Sequence, residues 1–148
     1  MRLSGKILAS VMLAMTAALP ALGQAQQIAQ VKTAKGDAYI VRGETRIAAK
    51  PGDAIYESDV IETGSSGTIG ITFIDNSVFS TGPGSQLALR EFRFDSSNFR
   101  GEMLAEMQKG SLTVVTGDIT RVSPGAMKIK TPTAVLGVRG TTFAVKIY

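Results

Sequence analysis

Thr68-Ile69-Gly70-Ile71-Thr72-Phe73-Ile74-Asp75-Asn76-Ser77 is the stretch on which the reading of the chain turns. Ile69, Ile71 and Phe73 alternate with small or polar residues, so an extended backbone sends all three to one face. Asp75-Asn76-Ser77 is the nearest thing in the chain to a ligand cluster. Its place between two extended segments and its composition assign it instead to a tight hairpin turn, since Asn tolerates a left-handed backbone and Asp and Ser bond back to neighbouring main chain. The stretch predicts a hairpin with a one-sided apolar core.

The same pattern extends in both directions. Residues 31–41, 46–50, 55–63, 68–74, 77–81, 86–94, 111–116, 126–130 and 141–148 are rich in β-branched or aromatic side chains and bounded by Gly, Pro, Asn, Asp or Ser. Phe143, Val145 and Ile147 repeat the alternation, and with Ile69, Ile71 and Phe73 they form the expected core. Val41, Ile55, Val60, Leu87, Leu89, Leu112, Val114 and Ile129 are expected to join it. Residues 102–108 and 133–138 are the only ones that suit a helical turn, and Gly101 and Gly110 cut the first too short for an independent helix, so it reads as strand. Turn glycines stand at Gly36, Gly52, Gly64, Gly82, Gly101 and Gly117. A sandwich or barrel also turns at short intervals, but this spacing favours an all-β, solenoid-like stack of short antiparallel strands and hairpins with very little helix.

Composition narrows the chemistry. The 148 residues contain no His and no Cys, which excludes imidazole bases, His–Ser or Cys–His machinery, thiolate metal sites and disulfides. No phosphate-binding or dinucleotide loop, nucleophile elbow or calcium loop is present. Asp53 with Asp59, and Glu57 with Glu62, are formal carboxylate pairs, and on strands and turns they read as solvated charges. Lys50-Pro51-Gly52-Asp53 is a turn signal. No enzyme activity, cofactor or metal is expected.

Residues 1–23 read as a secretory signal peptide. Arg2 and Lys6 precede an uncharged apolar run broken by Pro20, and Ala21-Leu22-Gly23 supplies small residues for cleavage after Gly23 or after Ala25. The apolar run is short of the ~20 residues a membrane span prefers. Residues 31–148 are then the β-domain, expected in the periplasm as a soluble protein without a stable membrane anchor. Without Arg2 and Lys6 the 16 basic residues become 14 against 12 acidic ones, scattered singly, so nucleic acid is not an expected partner.

The most unusual segment runs from Thr131 and Pro132 through Ala134, Val135, Leu136, Gly137 and Val138 to Arg139, Gly140, Thr141, Thr142 and Phe143. Pro132 stops a strand, and Arg139 lies between two glycines before a clean final strand. Two accounts of Arg139 stand beside each other. In the favoured one its planar fork is satisfied by carbonyls or a carboxylate inside the fold, so that its loss lowers stability. In the other it is an anion contact on a binding face.

Gly52-Asp53, the run from Glu57 to Gly64, the Ile69–Ser77 stretch, Leu87-Ala88-Leu89, Lys109-Gly110-Ser111-Leu112, and Lys130-Thr131-Pro132-Thr133 leading to Val138-Arg139-Gly140-Thr141-Thr142-Phe143-Ala144-Val145 together resemble the FecR domain family. The resemblance covers nearly the whole chain after the signal peptide, in order. It implies an all-β, solenoid-like periplasmic domain without enzymatic activity. In the best-known members such a domain relays the state of an outer-membrane siderophore or iron-citrate receptor to a sigma factor. Those members carry a cytoplasmic anti-sigma region and a membrane helix, where this chain has a cleavable export signal. Asn76 stands where their turn usually has glycine. The chain ends at Tyr148, where a further closing strand is usual in such members. The expected role is therefore a non-catalytic interaction module whose partner is a periplasmic or outer-membrane protein or an envelope glycan. The alternative is a regulatory sensor in iron or envelope signalling that works through a separate membrane protein.

Overall fold

A computed structural model describes residues 25–140 and 142–148. The described residues form twelve strands and one short helix: β1 (Gln27–Lys35), β2 (Ala38–Arg42), β3 (Thr45–Ala48), β4 (Ala54–Tyr56), β5 (Val60–Thr63), β6 (Thr68–Phe73), β7 (Val78–Thr81), β8 (Gln86–Asp95), β9 (Arg100–Val115), α1 (Asp118–Val122), β10 (Met127–Lys130), β11 (Val135–Val138) and β12 (Thr142–Ile147). The fold is all-β, its antiparallel sheet strongly curled into a half-barrel. The strand order is β3-β2-β5-β8-β9-β7-β6-β1-β4, with β10 and β12 added on β9 and β11 on β10. Among the described residues only β9–β10 is parallel.

The long strand β9 joins the two halves of the curl. Its first part lies between β8 and β10, and its second part between β7 and β12. The chain passes from one half to the other at glycine-bearing corners, as the turn spacing predicts. These corners stack: Gly64 N–H donates to Asp37 O at 2.8 Å, and Gly84 N–H to Gly64 O at 2.9 Å. A Cβ on Gly67 would lie 1.9 Å from Asp37 O, so the stacking needs glycine there.

The inner faces of the two halves enclose one core. Ile69, Ile71 and Phe73 are buried, as are Ile55, Leu87, Leu89, Leu112, Val114 and Ile129. Phe92 of β8 stacks on Phe73 of β6 with centroids 5.3 Å apart, and Phe79 meets Phe73 edge-on at 4.8 Å. On β2 and β5 the expected inward residues are displaced by one position. Ile40 and Ile61 are buried, whereas Val41 and Val60 are only half-buried. A one-residue phase change reverses the face of every side chain in so short a strand, and apolar residues at both positions hide the phase from the sequence. Phe143, Val145 and Ile147 share one face of β12 as expected, but they are half-buried at the open edge of the curl.

Residues 102–108 are strand, with Met103, Ala105 and Met107 inward. Residues 135–138 are strand as well. Gly101 is no corner: it lies within β9 opposite Phe94. The turn before it is built by Asp95, whose carboxylate accepts from Ser97 N–H and Oγ–H, and by Asn98, whose side-chain oxygen accepts from Arg100 N–H.

Candidate functional site

Asn76 has φ +67°, the left-handed conformation predicted for the Asp75-Asn76-Ser77 turn, and Phe73 N–H donates to Ser77 O at 2.8 Å. Asp75 and Ser77 are nonetheless fully buried. The Asp75 carboxylate accepts from Ser77 N–H (3.1 Å), Ser77 Oγ–H (2.8 Å) and Ile119 N–H (3.4 Å). Gly117 N–H donates to Ser77 Oγ at 2.9 Å, Asp118 N–H to Asp75 O at 2.7 Å, and Asn76 Nδ2 to Asp118 Oδ2 at 2.9 Å. The turn is the seat on which α1 docks, and its oxygens are consumed by that docking.

The Thr131–Phe143 segment reaches the same helix from the other side. Thr131 closes the β10–β11 hairpin: its N–H donates to Ala134 O at 2.8 Å and its Oγ accepts from Ala134 N–H at 3.0 Å. Pro132 is exposed at the tip. Gly140 lies beside α1, where a Cβ would be in van der Waals contact with Thr120 Oγ1 at 3.4 Å. Phe143 lies opposite Val114 and packs on the core. Thr141 lies outside the described residues, as does the expected export signal at residues 1–23.

Arg139 departs from the favoured expectation. It is exposed in the bend after β11 and makes no hydrogen bond or ion pair among the described residues. Gly140 next to it lies beside α1, and the Arg139 side chain is left on the outside. On the hairpin that precedes it, Lys128 and Lys130, both exposed, lie opposite Gly137 and Val135, so Val135, 59% exposed, shares their face, while Leu136, 37% exposed, lies opposite buried Ile129 on the other face. The segment thus presents apolar and cationic groups together.

The carboxylate pairs also resolve. Asp59 is not a solvated charge, being 1% exposed and gripped by Arg42. Asp59 holds the Arg42 guanidinium pKa above its ordinary value, chiefly through the hydrogen bond between them. Glu57 accepts from Phe92 N–H at 3.0 Å, Asp53 from Lys50 N–H at 2.9 Å, and Glu62 lies 3.6 Å from Arg46. Each carboxylate is taken by a structural partner, so the pairs are not poised as acid and base. Among the described residues no three carboxylates converge as a metal-binding group, and no helix is long and apolar enough to cross a membrane. Nothing local in the sequence signals the Arg42–Asp59 pair or the exposed β10–β11 face, because both depend on how distant strands meet.

The fold is a half-barrel in which a polar turn seats a short helix and the last hairpin is left open to solvent. The chain belongs to the FecR protein family, whose model matches residues 59–147. No curated protein and no solved structure matches it. The family match begins at Asp59, while β1 to β4 lie before it and belong to the same sheet.

Proposed function

We propose that this FecR-domain chain is an exported, non-catalytic interaction module of the periplasm that engages a protein through its β10–β11 hairpin. The supporting observation is the outer face of that hairpin, where Val135, 59% exposed, lies opposite Lys130, Lys128 lies opposite Gly137, and exposed Arg139 follows β11. An exposed apolar side chain beside exposed cations suits a protein surface that offers apolar contacts and carboxylates. An envelope glycan is the competing partner.

Immobilised chain, challenged with periplasmic extract and separately with peptidoglycan, tests the reading. A reproducible protein retained by the wild type and lost with Val135→Ser and with Arg139→Glu is the expected result. Retention of peptidoglycan alone replaces the protein reading, and no retention at all defeats both.

Family membership favours a second reading, in which the module acts as a sensor with a separate membrane protein. Deletion of the gene should then alter expression of iron-uptake or envelope-stress genes under iron starvation, and unchanged expression removes this reading.

A further inference from the structure

We propose that the exported chain blocks its own N-terminus: cleavage leaves a glutamine as the first residue, and that glutamine closes on its own α-amine to give pyroglutamate. The modification presupposes the export and cleavage proposed above, and it is independent of what the β10–β11 hairpin binds.

Two cleavage positions fit the leader, after Gly23 and after Ala25, and Gln24-Ala25-Gln26 places glutamine next in both cases. The α-amine of such a residue and its side-chain amide are spaced to close a five-membered ring. The amine nitrogen attacks Cδ, the N–Cδ bond forms as the Cδ–Nε2 bond breaks, and Nε2 leaves as ammonia with the amine proton. No oxidant, reductant or other reactant is consumed. The product is a neutral lactam, without the α-amine that otherwise titrates near neutral pH.

The folded domain leaves this chemistry free to proceed. Ala25 and Gln26 are exposed and precede β1, and Gln26 makes no hydrogen bond among the described residues. Gln27, its neighbour, is already employed: it opens β1 opposite Tyr56, and its Nε2 donates to Ala29 O at 3.1 Å. The boundary between a free glutamine and a structural one therefore falls between adjacent residues.

The ring protects β1. That strand lies between β4 and β6, and its Ile28, Ala29 and Val31 are buried in the core. An aminopeptidase starting on an exposed amine would reach Gln27 and Ile28 within a few residues, removing first the pairing with Tyr56 and then a core side chain. A lactam offers such an enzyme no α-amine to engage.

Expression of the full precursor, recovery of the chain from the periplasm and measurement of its intact mass test the block. The expected product begins at Gln24 or Gln26, is lighter than that sequence by one ammonia in a fraction that rises on incubation at neutral pH, and resists N-terminal amine labelling. Gln24→Ala combined with Gln26→Ala should give a cleaved chain of full mass, labelled at its amine and shortened by an aminopeptidase that leaves the incubated wild type intact. A wild-type chain that begins at either glutamine yet keeps its ammonia and its reactive amine overturns the inference and leaves export standing, as does a chain cleaved before another residue. Recovery only from the cytoplasm with residues 1–23 attached overturns export and the inference together. Equal shortening of wild type and variant overturns the protective role of the ring.

Discussion

Arg42 and Asp59 form a two-point ion pair, with Nε 2.9 Å from Oδ1 and Nη2 2.7 Å from Oδ2. The same Nη2 donates to Ala54 O at 3.1 Å, Tyr56 N–H donates to Asp59 Oδ2 at 2.9 Å, and the Tyr56 ring lies 4.5 Å from the guanidinium carbon. A buried carboxylate is thereby surrounded by donors on every side, which offsets its desolvation. The pair also ties β2, which precedes the family match, to the turn at which that match begins.

Arg42→Ala should therefore cost more than an exposed ion pair does. Asp59 would stay buried with one donor left, and the expected loss is roughly 2–3 kcal/mol, reduced from the fully buried case because the Arg42 side chain is itself partly exposed. Urea unfolding of the variant beside Arg42→Lys checks this. Equal loss in both would point to the bidentate geometry, which lysine cannot reproduce.

At the Asp75-Asn76-Ser77 turn, Gly117→Ala should be severe. A Cβ on Gly117 would stand 2.1 Å from Asp75 O and 2.4 Å from Ser77 N, both backbone atoms, so α1 would have to leave its seat. Asn76→Gly should be mild by comparison, because glycine accepts φ +67° freely and only the contact to Asp118 is lost. Thermal melting of the two variants side by side tests the ranking. A Gly117→Ala protein that melts like the wild type would show that α1 is not held by this turn.

Arg139→Ala should leave stability within about 0.5 kcal/mol of wild type, as for a surface change that removes no packed contact. The sequence-based expectation was the reverse. A clear fall in melting temperature would restore an internal role for Arg139.

Arg90 Nε lies 3.0 Å from Glu106 Oε2, and this hydrogen bond holds the Glu106 carboxyl below its ordinary value, with Lys130 and Gln108 acting in the same sense. The folded state thus favours the carboxylate. The contribution is present above the unfolded carboxylate range, about pH 4.3, and is lost as pH falls through the lower folded value. Because the group is largely solvent-screened, Glu106→Gln should lower stability by only a few tenths of a kcal/mol at neutral pH, and the difference from wild type should vanish as pH falls through the folded value. Denaturant midpoints from acid to neutral pH measure it.

Much of the architecture was legible because its signals are local. The alternation of Ile69, Ile71 and Phe73, the left-handed Asn76 and the corner glycines Gly36, Gly64 and Gly82 each act over a few residues, where period and backbone sterics leave little choice. The phase errors at Val41 and Val60 arose where two apolar residues are adjacent and only the facing half of the sheet decides which one turns inward. The candidate site was less legible. Its residues were picked out by an unusual run of glycine, proline and arginine, but the run does not say which side of the fold it faces.

By itself the sequence determined the all-β class, most of the corners, with Gly101 the exception, the principal turn, the chemistry excluded by the absence of His and Cys, and the kinship with one family. Tertiary structure alone decided that Asp59 is buried against Arg42, that Asp75 and Ser77 serve as the seat of α1, and that Arg139 faces outward. The division has a physical reason. Backbone conformation follows from neighbours in the chain, whereas burial and pairing depend on which distant strands the curl of the sheet brings together.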